Sequence, residues 1–434
     1  MLKNLIIAAL LCASLQAQVT TTASRAPGQS SANAPQTLNP VIEWNRTLLR
    51  IVRTPGAQPP TIHSTRSFAI LHAAVFDAVN NIVGGFTPYR VHLSDVSPET
   101  SAVAAADQAA HDVLVSLYPA FQTTLDTELQ QDLAQIPDGK PKANGITVGR
   151  TLASQILSLR ANDGSGVTPP PYKPKNVPGF YQLTPPDFTP ADFTQWGDVT
   201  PFAIASARSF FPDPPPAPSD EEYVQDFAEV KSIGELGSKT RTAEQAVIGK
   251  FWNGKIQNYW NGIAQTAAIT HNLDLEQSAR LFALLNFGMA DSVISFFDAK
   301  YFYQLWRPVT AAEATDDPDW LPFTKKTAPD PSYPGAHSAT SSAGAEVLRF
   351  YFGDNFTFDV TSEVLPGVTR HFTTFSEAAQ EAGLSRIYAG QHFRFDHVAG
   401  LRLGQQVSSF VTHTVLLPRP APEAPSGKQF ESTK

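Results

Sequence analysis

Apolar residues in this chain recur at spacings of three and four, and strict two-residue alternation is scarce. A helix returns to the same face about every 3.6 residues and a strand every two, so the pattern predicts an all-α fold. Helices are expected from Val41 (VIEWNRTLLRIVR), over 64–81, 123–135, 145–160, 221–235 and 243–260. In the second of these Phe68, Leu71, His72, Val75 and Val79 keep helical register. Ser97-Pro98-Glu99 supplies a capping hydroxyl, a first-position proline and an acid, and predicts an Ala-rich helix to about Leu117. Asp274-x-x-Gln277 resembles a capping box at the head of a long helix. The proline-dense stretch 168–218 carries Tyr172, Phe180, Tyr181, Phe188, Phe193 and Trp196, and is expected to be a long loop packed on the rest of the fold, a pocket rim being one such place.

With 434 residues and 42% hydrophobic content the chain can build one large core or two merged ones. A net charge of −8 leaves no basic surface for a nucleic-acid backbone. Residues 1–17 read as an export signal, with Lys3, an apolar stretch from Leu5 to Leu11 and the small Ala17. The lone Cys12 lies inside it, so the mature chain would hold no disulfide and no thiolate metal site. No further apolar run reads as a membrane span, and the expected location is periplasmic or secreted. Residues 18–40 read as a flexible lead-in, 41–417 as the folded domain and 418–434 as a disordered polar tail.

Three fragments carry chemistry: Lys300-x6-Arg307-Pro308, Pro334-Gly335-Ala336-His337-Ser338, and Ser385-Arg386-x5-His392-x3-Asp396. Their three cations, two histidines and one carboxylate suit a pocket for a tetrahedral oxyanion, with one histidine placed to bond its central atom. Lys300 continues the apolar stripe of Met289, Val293 and Phe296, where an ammonium needs an anion or loses its charge. A stem snorkelling to water and an arginine in a salt bridge would serve equally for this fragment alone. His337 falls at the start of a helix, where free N–H groups favour an anion, or where it acts as a simple cap. His392, Asp396, Ala399, Leu403, Val407 and Phe410 share one helical stripe. The carboxylate four residues on can accept from one ring nitrogen and make the other more basic. Arg386 offers a planar fork for oxyanion oxygens. A structural His–Asp pair and half of a zinc site are the competing readings of this fragment; zinc is disfavoured because His397 points off the stripe. Trp306 and Phe393 are expected in the core, as are His72 and His111, and His63, His92, His271, His371 and His413 show no such company.

In this order the fragments resemble the signature of the vanadium-dependent haloperoxidases and type 2 phosphatidic acid phosphatases: K-x6-R-P, P-S-G-H, S-R-x5-H-x3-D. VIEWNRTLLRIVR, LHAAVFDAVNNI and QLWRPVTAAEA resemble segments of the exported bacterial haloperoxidase-like branch, and the likeness spans most of Val41 to Leu417. The resemblance implies helical bundles with the site at a bundle end. It implies His392 as the residue bonded to vanadium, or as the nucleophile of a phosphatase. Lys300, Arg307 and Arg386 would neutralise oxyanion oxygens, His337 would be the general acid/base, and Asp396 would orient His392. The chain departs at Gly335, where the family has serine. The N–H of Ala336 would take the part of the family's glycine, Gly335 would lie against the anion, and Ser332 or Ser338 could supply a hydroxyl.

The implied activity is a vanadate-dependent haloperoxidase using hydrogen peroxide and a halide, with Lys300 polarising the bound oxidant. The alternatives are an acid phosphatase acting on a small phosphate ester through a phosphohistidine, and a noncatalytic oxyanion-binding protein. Once the signal is removed, Met289 is the one methionine, which suits a chain exposed to hypohalous acid.

Overall fold

The computed structural model describes residues 39–420 apart from 316. The expected signal and most of the lead-in and tail lie outside the described residues. Thirteen α-helices appear among these residues: α1 (Pro40–Arg53), α2 (Ser64–Val83), α3 (Ala102–Leu117), α4 (Gln122–Ala134), α5 (Lys140–Arg160), α6 (Glu221–Ile233), α7 (Ala243–Phe251), α8 (Ile256–Thr270), α9 (Leu275–Tyr303), α10 (Pro308–Glu313), α11 (Ala336–Phe352), α12 (Phe375–Tyr388) and α13 (Arg394–Thr414). The all-α expectation holds except for one antiparallel hairpin between α11 and α12, with β1 (Asn355–Thr361) paired to β2 (Thr369–Thr374). Its buried positions Phe358, Val360 and Phe372 alternate with exposed ones over strands of only seven and six residues. So brief an alternation is a weak signal in a sequence dominated by helical spacing.

Local chemistry explains the helix ends. Asn39 accepts from the Val41 N–H at 3.1 Å and Pro40 occupies the first turn of α1. Asp274 accepts from the Gln277 N–H at 2.8 Å and opens α9. The third expected helix starts later than its signature suggested: Ser97–Glu99 form a turn, and Ser101 caps α3 instead. The helix expected over 243–260 divides at Asn253-Gly254-Lys255 into α7 and α8.

α9 is the central element. It packs against α2 on one side and against α11 and α13 on the other. By length and composition it could cross a membrane, which the sequence reading did not register, but 94% of its apolar window is buried inside the fold. The α11–α13 contact is unusually close because Gly400 and Gly404 face α11: a Cβ on Gly404 would stand 2.0 Å from the Ala339 carbonyl oxygen. This approach holds the second and third fragments together.

One expectation about register is corrected, at His392. α9 ends at Tyr303 with Gln304 in the left-handed region, and Arg307 is the extended residue preceding α10. Helix does resume at Pro308, where the missing N–H costs nothing. His392 lies before α13, which starts at Arg394, and so is not on the helical stripe. On that stripe Leu403 and Val407 are buried, but Phe410 is exposed. The first residues of the expected tail are docked, with the Arg419 N–H donating to the Gly85 carbonyl at 2.9 Å.

Candidate oxyanion site

Lys300 and Arg307 are both buried, at 0% and 1% exposure, and both turn to a loop carboxylate the sequence reading missed. The Lys300 ammonium lies 2.8 Å from Asp330 Oδ1 and also donates to the carbonyls of Pro331 (2.5 Å) and Ser332 (2.9 Å). Arg307 Nη2 reaches the same Asp330 oxygen at 2.8 Å, and its Nε donates to the Asp330 carbonyl at 2.7 Å. Burial, with Arg307 nearby, brings Lys300 down to about 8 against the pull of Asp330. Burial alone would lift the Asp330 carboxyl, but Lys300 and Arg307 outweigh it and hold the group below the usual carboxylate range. The salt-bridge alternative for this fragment is therefore present in the fold.

The third fragment closes on itself at a helix end. α12 stops in a reversed turn, with Gly390 at φ +77°, the Gly390 N–H on the Ile387 carbonyl and the Gln391 N–H on the Arg386 carbonyl. The turn carries the chain back and sets His392 beside the Arg386 side. His392 Nδ1 lies 2.8 Å from Asp396 Oδ2, so the carboxylate accepts the ring proton and fixes a lone pair at Nε2. Asp396 is held in turn by the Ser332 hydroxyl at 2.5 Å and the Phe393 N–H at 3.1 Å. Burial lifts Asp396 to about 6 despite these donors, leaving it ionised at neutral pH. Burial, then Arg307, Lys300 and Arg386, hold His392 well below the ordinary histidine range, so the ring is neutral.

His337 stands in the first turn of α11, as expected. Its Nε2 lies 3.0 Å from the Trp252 carbonyl, which fixes the ring proton there and leaves Nδ1 as acceptor. Burial and Arg386 keep it neutral. Arg386 has no carboxylate within ion-pair distance among the described residues; Nη1 donates to Asn253 Oδ1 at 2.9 Å. Burial and Arg307 lower it only to about 10, so it stays charged.

A cavity of about 850 Å³ has Arg307, Ala336, His337, Arg386, His392 and Asp330 in its lining. Lys300 and Asp396 stand one layer behind. Gly335 does not fill the role proposed for it: its N–H donates to the Asp396 carbonyl at 2.8 Å, and without a side chain it has no donor left. Neither substitute hydroxyl is free, because Ser332 serves Asp396 and Ser338 pairs with His397 Nδ1 at 2.9 Å. The Ala336 N–H, at the helix start, makes no bond to any described residue. His63, read as without company, lines the cavity with Phe193, Phe296 and Phe297. Trp306 and Phe393 pack in the core as expected.

In this helical fold one cavity is lined by a buried guanidinium with no carboxylate within ion-pair distance among the described residues, a free helix-start N–H and a carboxylate-oriented imidazole, an arrangement able to receive a tetrahedral oxyanion. The comparisons agree. Residues 280–417 match the family model described as the second helical-bundle domain of vanadium chloroperoxidase. The vanadium chloroperoxidase of Curvularia inaequalis is 24% identical over 492 residues, covering 83% of this chain and 79% of that protein. A bacterial vanadium-dependent iodoperoxidase structure superposes with a TM-score of 0.76 at 26% identity, over 88% of this chain and 97% of that one. A holo-type bacterial vanadium-dependent chloroperoxidase shares the fold, with a TM-score of 0.65 at 16% identity over 83% and 94%. These likenesses support the vanadium haloperoxidase superfamily for this chain, with the family model covering its C-terminal helical bundle.

Proposed function

We propose that this chain is a vanadate-dependent haloperoxidase that oxidises a halide with hydrogen peroxide, giving hypohalous acid or a halogenated organic, and that it works outside the cytoplasm. The observation that carries this is the His392–Asp396 pair at 2.8 Å, in a cavity that is also lined by Arg386, whose guanidinium has no carboxylate within ion-pair distance among the described residues. A pre-oriented neutral imidazole is what a bond to the central atom of an oxyanion needs. The likeness to chloro- and iodoperoxidases supports vanadate over phosphate as that anion.

The residues fit the group. His392 would hold it through Nε2; Arg386, Arg307 and the Ala336 N–H would receive its oxygens, with Lys300 contributing from behind. Bound vanadate supplies the Lewis-acidic centre that activates peroxide toward a halide. Asp396 keeps the His392 proton at Nδ1, so Nε2 never carries one. His337, with its proton at Nε2 on the Trp252 carbonyl, can take a proton from an incoming peroxide at Nδ1. An anion beside Arg386 offsets the charge that depresses His337, which favours that protonation. The buried Phe296 and Phe297 give the entrance an apolar side that keeps water from the reacting groups.

The test is halogenation of a phenol dye by the purified protein with peroxide and bromide or iodide, with and without orthovanadate, beside hydrolysis of p-nitrophenyl phosphate. Vanadate-dependent halogenation that disappears in His392→Ala is expected. Hydrolysis without halogenation would make the protein a phosphatase, and neither activity would leave an oxyanion-binding protein.

A further inference from the structure

We propose that Asp330 is a built-in counter-anion that competes with the incoming oxyanion for Lys300 and Arg307, and so decides which anions the cavity admits. The inference rests on the oxyanion reading of the cavity and adds a residue to it.

The donor count carries it. An ammonium has three N–H groups, and Lys300 spends them on Asp330 Oδ1, the Pro331 carbonyl and the Ser332 carbonyl. A guanidinium has five, and Arg307 directs four: to the Asp330 carbonyl, to Asp330 Oδ1 at 2.8 Å, to the Gln391 carbonyl at 3.0 Å and to His392 Nε2 at 3.0 Å. Arg386 spends one, on Asn253. Two of the three cations therefore already share one carboxylate, which offsets one of their two charges.

Position adds to the count. Asp330 is in the cavity lining and Lys300 is not, so an anion in the cavity meets the residue that already holds the ammonium before it meets the ammonium itself. It bridges Lys300 and Arg307 through a single oxygen at 2.8 Å to each, much as one oxygen of a tetrahedral anion would. The pair of cations holds the carboxyl below its ordinary range, so it is charged at neutral pH. An anion that reaches Arg386 and the Ala336 N–H first must displace a like charge to gain the other two cations. A tetrahedral oxyanion has enough oxygens to replace every contact the carboxylate gives up. A halide, being a single sphere, cannot bridge them while also engaging Arg386. Asp330 thus keeps the cation set closed to halide and open to phosphate or vanadate.

The experiment is calorimetric titration of wild-type protein and Asp330→Asn with inorganic phosphate and with orthovanadate. The amide keeps the shape and an acceptor oxygen but removes the charge. Both anions are expected to bind the variant about tenfold or more tightly, the scale on which removing a like charge acts, and chloride is expected to become a measurable competitor only in the variant. Equal or weaker oxyanion binding by a variant with a native circular-dichroism spectrum would overturn the inference while leaving the oxyanion reading intact. Should Asp330→Asn not fold, a wild-type crystal soaked in phosphate decides: the Asp330 carboxylate is expected to have left Lys300, and phosphate bound with that contact intact overturns the inference. No binding of either anion to either protein would sink the oxyanion reading and this inference with it.

Discussion

Arg307 Nη1 lies 3.0 Å from His392 Nε2. The His392 proton is committed to Asp396 through Nδ1, so the guanidinium N–H donates to the lone pair that the proposed function assigns to the central atom of an oxyanion. The His392 lone pair is thus satisfied within the protein: a buried nitrogen that would otherwise lack a partner has one, and an incoming oxyanion would exchange that bond for a stronger one.

The cations should separate by what they leave behind. Arg386→Ala strands no carboxylate among the described residues, where its guanidinium bonds the Asn253 side chain. It should weaken phosphate or vanadate binding by about 1.5–3 kcal/mol, the worth of a hydrogen bond to a charged group, with little change in melting temperature. Arg307→Ala breaks half of a buried ion pair and frees the Gln391 carbonyl, and should cost about 3–5 kcal/mol of stability. Melting curves beside binding isotherms check both; a larger stability loss at Arg386 than at Arg307 would contradict the assignment.

Ser332 tests whether the serine missing at Gly335 has been replaced. Its hydroxyl donates to Asp396 at 2.5 Å. Ser332→Ala should therefore lower stability by about 1 kcal/mol and leave oxyanion affinity almost unchanged. A tenfold loss of affinity at unchanged stability would show that the hydroxyl turns to the anion.

The site was legible where chemistry and sequence proximity coincide. His392 and Asp396 are four residues apart, and Arg386 and His392 are joined by one reversed turn, so spacing alone predicted their meeting. The same spacing misled about the element that carries them: the carboxylate of Asp396 pairs with the Phe393 N–H in the first turn of α13, a cap that leaves His392 outside the helix. Asp330 could not be read this way. It lies 30 and 23 residues from its partners, in a proline-bounded loop with no periodicity, and only tertiary folding brings its charge to theirs. The one available signal was electrostatic: two cations expected inside an apolar core require a counter-charge, and Asp330 is the acid adjoining the second fragment. The hairpin after α11 escaped because its strands are short. The helices that build the core were legible because long amphipathic or wholly apolar segments leave little choice of structure.

Lys300 should impose a pH dependence. Burial and Arg307 bring it down to about 8, with Asp330 and Asp396 the carboxylates that oppose the shift. As pH rises through about 8 the folded protein loses this charge, and oxyanion affinity should fall. The sign for stability is the reverse. The folded value lies below the unfolded value of 10.5, so the unfolded chain binds more protons between the two. From this group, unfolding free energy should increase with pH across that window. Binding isotherms at pH 7 and 9 in wild-type and Lys300→Met protein check the first claim: the fall in affinity should be present in the former and absent in the latter.

The approach of α13 to α11 should be as important to the site as any charged group. Gly404 faces the Ala339 carbonyl so closely that an added Cβ would lie 2.0 Å from that oxygen and 2.8 Å from the Ala343 nitrogen. Backbone cannot give way as a flexible side chain can, so Gly404→Ala must push the helices apart, at a cost of about 1–3 kcal/mol or more. The displacement would be felt at the cavity, because α11 begins at Ala336 and His337 and α13 begins just after His392. Halogenating activity should therefore fall further than the stability loss alone explains at temperatures where the variant is folded. Gly262→Ala supplies the contrast: it lies inside α8 with nothing within 4 Å of an added Cβ. There the substitution should stabilise by about 1 kcal/mol through helix propensity and leave activity unchanged. Melting temperatures and turnover of the two variants, measured side by side, distinguish a close-packing requirement at Gly404 from a general intolerance of alanine in these helices.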